Sequence, residues 1–159
     1  MQQQTAPRDL NVNSSLSDMR VLLVEDTAPM ADLIVAMLVS MGVHLVQTVP
    51  NGEIALKEYR EHPENYDIIV SDWVMPKMTG IELLKEIRAL DATIPFVMLT
   101  VRSANDAIMD AVDADVTAYI TKPFKAQNFQ AKVSALFQRI LDEKDAASRS
   151  KPTEYIDLV

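Results

Sequence analysis

The chain has 159 residues, 48% of them apolar and 24% charged, which is enough for one globular domain with a sizeable core and too little for a second. It has no cysteine, so disulfides and thiolate metal sites are excluded, and a formal charge of -8 argues against contact with nucleic-acid phosphates, which needs clustered Lys and Arg. No run approaches the about 18 apolar residues of a membrane span, and no basic region leads into an apolar stretch at the N-terminus, so the expectation is a cytoplasmic protein that uses neither membrane nor nucleic acid.

Residues 1–18 are rich in Gln, Asn, Ser and Asp without sustained periodicity and read as a flexible arm, the folded part beginning near Met19. Val21-Leu22-Leu23-Val24 is the first of three continuous apolar runs, followed by Ile68-Ile69-Val70 and Phe96-Val97-Met98-Leu99. Such runs suit parallel strands buried on both faces. The stretches 43–49 and 117–121 mix polar with apolar residues and are expected at the sheet edges. Between them lie helical spacings: Leu33, Met37 and Met41 four apart, and Ile81, Leu84 and Ile87 three apart. Pro29 suits a helix start, and Gly42 and Asn51-Gly52 supply permissive backbone for turns. Phe129, Val133, Leu136 and Ile140 predict a closing helix over 127–142, with 143–159 left as a polar tail. Phe137 and Leu141, beside that stripe, are read as core, and His44 and His62 as surface residues. Five strands alternating with five helices give an α/β fold, a doubly wound parallel sheet covered by helices on both faces.

In an open parallel sheet the site lies beyond the carboxyl ends of the strands. Here the first run ends in Glu25-Asp26, the second in Ser71-Asp72, the third in Thr100, and the last strand leads to Lys122-Pro123. Convergent carboxylates repel one another unless a cation is present, and hard oxygen ligands without His or Cys select Mg2+. A carboxylate can attack phosphorus to form an acyl phosphate, whose oxygens the metal, the Thr100 hydroxyl and the Lys122 ammonium could each hold.

Taken with Asp72-Trp73-Val74-Met75-Pro76-Lys77-Met78-Thr79-Gly80, Pro95 to Thr100 and Tyr119-Ile120-Thr121-Lys122-Pro123-Phe124, these motifs make 19–142 resemble the response-regulator receivers of two-component phosphorelays. The likeness is to the single-domain chemotaxis regulators of the CheY type. It implies a flavodoxin-like strand order 2-1-3-4-5. It also implies Asp72 as the phosphoacceptor, Asp26 as a direct Mg2+ ligand, Glu25 acting through water, and the Val74 carbonyl as a further ligand. Thr100 would bond the phosphoryl group, Lys122 would pair with it, Tyr119 would be the aromatic switch, and Pro123 would follow a cis bond. The donor would be a histidine kinase or a histidine phosphotransfer protein. The output would be binding to a downstream protein by a monomer or weak dimer. Such a chain is not an enzyme with a separate substrate; it catalyses its own phosphotransfer and slow dephosphorylation.

Four positions bear on how this chain departs from the family pattern. Val101 stands where a small residue is usual and restricts access to Asp72, while Val74 and Arg102 occupy the positions that govern how water reaches the acyl phosphate. An apolar Val74 cannot orient water, which implies slow self-dephosphorylation. Asp115 replaces the usual glycine before the last strand; aspartate tolerates a left-handed backbone, and adds charge to the output face. The alternative function is a phosphorylation-independent interaction module on the same fold. An aspartyl-phosphate phosphatase is disfavoured, since it needs a second Asp where Val74 stands.

Overall fold

Runs of Val, Leu and Ile with no polar face can only be satisfied between two helical layers, and the computed structural model, which describes residues 15–101, 110–112 and 114–150, shows that arrangement. In chain order the elements are β1 (Arg20–Val24), α1 (Ala28–Ser40), β2 (Leu45–Val49), α2 (Gly52–Glu61), β3 (Ile68–Asp72), α3 (Gly80–Leu90) and β4 (Phe96–Thr100). They are followed by the helical residues 110–112, taken as α4, then β5 (Ala118–Thr121) and α5 (Ala126–Ser150). All strand pairs are parallel, in the order β2-β1-β3-β4-β5. The two mixed-polarity strands, β2 and β5, are the edges.

Because successive side chains alternate across a strand, the sheet divides its apolar residues between two cores. Val21, Leu23, Val70, Val97 and Leu99 join Ile34 and Leu38 of α1 and Phe129, Val133 and Phe137 of α5. Leu22, Val24, Ile69, Phe96 and Met98 join Leu56 and Tyr59 of α2 and Leu83, Leu84 and Ile87 of α3. Phe137 and Leu141 are buried, as the core reading expected, and both histidines are exposed. No helix among the described residues is long and apolar enough to cross a membrane.

Three local expectations are corrected. In α1 the buried residues are Ala31, Ile34, Met37 and Leu38, while Leu33 is 51% exposed. This helix is apolar around most of its circumference, so spacing alone could not choose its inner face. Asn51-Gly52 is a helix start rather than a free turn: the Ile54 N–H donates to Asn51 Oδ1 at 3.0 Å, capping α2. Helix α5 runs past Asp142 to Ser150. It is fastened there by Lys144, whose Nζ lies 2.8 Å from Asp67 Oδ1, while Asp67 Oδ2 accepts the Arg20 N–H at 2.8 Å. The segments 1–14 and 151–159 lie outside the described residues.

The turn before β5 survives the loss of its expected glycine. Asp115 adopts φ 65, and its carbonyl accepts a hydrogen bond from Arg88 Nε at 2.8 Å. The same guanidinium donates to the carbonyls of Asp91 and Ile94, tying the end of α3 to the starts of β4 and β5.

Candidate functional site

Strand register brings the chemistry to one edge. Val24 pairs with Ser71, Asp72 with Leu99 and Thr100 with Thr121, so Glu25, Asp72, Thr100 and Lys122 emerge at nearly one level. Glu25 and Asp72 are buried, as is Thr100, whereas Asp26 is exposed. Lys122 reaches across the sheet edge, its Nζ 3.3 Å from Asp72 Oδ2 and 3.6 Å from Glu25 Oε2. Its backbone N–H donates to the Thr100 carbonyl, and the Lys122–Pro123 peptide is cis, as the resemblance implied.

Backbone hydrogen bonds tie both ends of the loop after Asp72. The Trp73 N–H donates to the Leu99 carbonyl and the Gly80 N–H to the Trp73 carbonyl, each at 2.8 Å. A Cβ on Gly80 would collide with the Asp72 carbonyl and lie 2.8 Å from Met98 Sδ, so only glycine lets α3 begin this close to the acidic residue.

Carboxylate oxygens of Glu25, Asp26 and Asp72 lie within 4.8 Å of one another. Glu25 Oε2 and Asp72 Oδ1 are buried and accept no hydrogen bond among the described residues. Burial and the neighbouring Asp72 push the Glu25 carboxyl above its ordinary range, with Lys122 and Thr27 opposing. One ammonium, paired with Glu25 and Asp72, stands against three carboxylates, and two buried oxygens have no hydrogen-bond partner among the described residues. A hard divalent cation answers both features, and an all-oxygen donor set suits Mg2+.

Val74 and Val101 are 67% and 59% exposed, flanking Asp72 and Thr100 in sequence. Tyr119 stands apart from the acidic cluster: its ring is at the surface of β5, with Lys132 Nζ 5.8 Å from the ring centroid. Arg102 lies outside the described residues. Sequence reasoning missed Thr27, which donates to Glu25 Oε1 from its hydroxyl at 3.0 Å and its N–H at 3.3 Å. The available signal was a hydroxyl two residues after a carboxylate, a spacing that favours local side-chain bonding.

A model of the response regulator receiver domain matches residues 21–134. The chain belongs to that family. Chemotaxis protein CheY of Pseudomonas aeruginosa is 36% identical over 124 residues, spanning 77% of this chain and 98% of that protein. The Bacillus subtilis CheY is 36% identical over 107 residues, 67% of this chain and 88% of its own length. Among solved structures, the CheX–CheY–BeF3–Mg2+ complex from Borrelia burgdorferi superposes with a TM-score of 0.72 at 25% identity, covering 80% of this chain and 97% of that one. Vibrio cholerae CheY4 superposes with a TM-score of 0.67 at 26% identity, covering 74% of this chain and 97% of that one. The five-stranded sheet of this receiver is thus the flavodoxin-like fold of its CheY relatives.

Proposed function

We propose that this receiver accepts a phosphoryl group on Asp72 from a histidine kinase or histidine phosphotransfer protein, in a Mg2+-dependent step, and signals through altered protein binding. The observation that carries the reading is the state of Asp72: a buried carboxylate with one oxygen 3.3 Å from Lys122 Nζ and the other without a hydrogen-bond partner among the described residues. A phosphorylation-independent module would have no need to keep two buried carboxylate oxygens without hydrogen bonds at appreciable cost.

In the transfer, an Asp72 oxygen attacks phosphorus and the bond from phosphorus to the donor imidazole nitrogen breaks. Its electron pair returns to that nitrogen, leaving an acyl phosphate. Asp26, Asp72 and the Val74 carbonyl would hold Mg2+, with Glu25 acting through bound water, and the ion would supply positive charge to the carboxylates and the incoming phosphoryl oxygens. Lys122 neutralises charge that Asp72 carries before the transfer and follows it onto the transferred group. The Thr100 hydroxyl binds a phosphoryl oxygen, and the space its movement leaves admits Tyr119. That ring must first part from Lys132, so the switch is a shift between an outward and an inward population. Its readout face comprises α4, β5 and α5. The exposed side chains of Val74 and Val101 carry no polar atom to direct water at the acyl phosphate, which supports slow self-dephosphorylation and restricted donor access.

Heteronuclear NMR spectra recorded with Mg2+, before and after adding beryllofluoride, test the reading. Shifts at Thr100, Tyr119 and α5 are expected in the wild type and none in Asp72→Asn. Spectra that are unchanged by beryllofluoride, or changed equally in Asp72→Asn, would contradict it.

A further inference from the structure

A glutamate carboxylate sits on a stem of three rotatable bonds and binds a cation weakly if it must first be ordered. Here the two oxygens of Glu25 are treated differently. Oε1 accepts both the Thr27 hydroxyl at 3.0 Å and the Thr27 N–H at 3.3 Å. Oε2 is buried, accepts no hydrogen bond among the described residues and faces the cluster, 3.6 Å from Lys122 Nζ.

Thr27 is also the N-cap residue of α1, with extended backbone at φ -103 and ψ 127. Threonine is favoured at that position because its side-chain oxygen accepts an N–H of the first helical turn. In this chain the hydroxyl makes no such bond. It is turned instead toward the acidic cluster, so the start of α1 forgoes a cap while Glu25 gains a clamp.

We infer that Thr27 is a positioning residue for cation binding, holding Glu25 Oε1 so that Oε2 is presented to the metal's ligand shell already ordered. The inference rests on the proposed reading of the site as Mg2+-dependent, and it acts through Glu25 rather than through direct contact with the metal. Thr27 is exposed and its hydroxyl caps no helix N–H, so removing it should leave the fold intact apart from the one bond to Glu25, which keeps the Thr27 N–H.

The test uses the full chain, titrated with MgCl2 and followed by Trp73 fluorescence and by amide shifts. Thr27→Val keeps the β-branched shape and loses the hydroxyl; it is expected to weaken Mg2+ binding about three- to tenfold. It should still unfold in one cooperative transition in EDTA, its folding equilibrium constant lowered by no more than the about fivefold that one hydrogen bond contributes. Thr27→Ser, which retains the hydroxyl, should restore affinity to within about twofold. Affinity in Thr27→Val equal to the wild type, or lost equally in Thr27→Ser, overturns the inference. Asp72→Asn separates the two levels. If it weakens binding while Thr27→Val does not, only the role of Thr27 falls; if it leaves the titration unchanged, the site reading falls as well.

Discussion

Asp91 illustrates how a residue outside the acidic cluster governs the stability of this receiver. The Tyr59 hydroxyl donates to its Oδ2 at 2.7 Å, while the Thr93 hydroxyl and N–H and the Ile94 N–H donate to Oδ1. Burial works to raise the Asp91 pKa, but these bonds together outweigh it and hold the carboxyl below its ordinary value of 3.8. Because the folded pKa is the lower one, the stabilisation is fully present above the unfolded value and drains away as pH falls through the folded one. Tyr59→Phe should therefore cost about 1–3 kcal/mol in urea unfolding at neutral pH. The gap to the wild type should narrow as Asp91 protonates. A gap that is constant down to the acid limb would contradict this account. Glu25, Asp72 and Lys122 were legible in the sequence because each ends or follows an apolar run. Thr27 and Arg88 were not, since their roles depend on where a side chain turns rather than on periodicity.

At the scale of elements, the closest constraint on the site is the junction of β3 with α3. Any side chain on Gly80 must push against the Asp72 carbonyl, Met98 Sδ and Trp73 Cα, two of them backbone positions of the site itself. Gly80→Ala is expected to destabilise the domain by about 1–3 kcal/mol, the usual range for overpacking. It should also move the Trp73 emission, because the loop shifts with it. A variant with unchanged unfolding and unchanged emission would show that the junction is looser than its geometry. The strands were readable because a sheet buried on both faces leaves uninterrupted apolar runs. The inner face of α1 was not, because apolar residues surround it. The last turns of α5 carry no apolar stripe; their anchor is the ion pair of Lys144 with the half-buried Asp67, a contact between segments far apart in sequence.

Across the whole molecule, two cores clamp a sheet whose strand ends gather three acids, a hydroxyl and an ammonium on one rim. The alternation of strands and helices was evident from pattern, whereas the order β2-β1-β3-β4-β5 came from the family resemblance, since hydrophobic runs do not say which strands are neighbours. On the proposed reading the output face of α4, β5 and α5 includes the exposed Val112 and Tyr119, while the exposed Asp115 pairs with Arg88 of α3 at 3.8 Å. On the proposed reading, this face changes when the rim is phosphorylated.

The most direct measurement is label transfer from a phosphorylated histidine phosphotransfer protein in the presence of Mg2+, with the modified residue mapped by peptide mass spectrometry. The account predicts label on Asp72 alone, not formed when EDTA is present during the transfer, absent from Asp72→Asn, and persisting well beyond seconds once donor is removed. Full labelling of Asp72→Asn, or label on another residue, would contradict it.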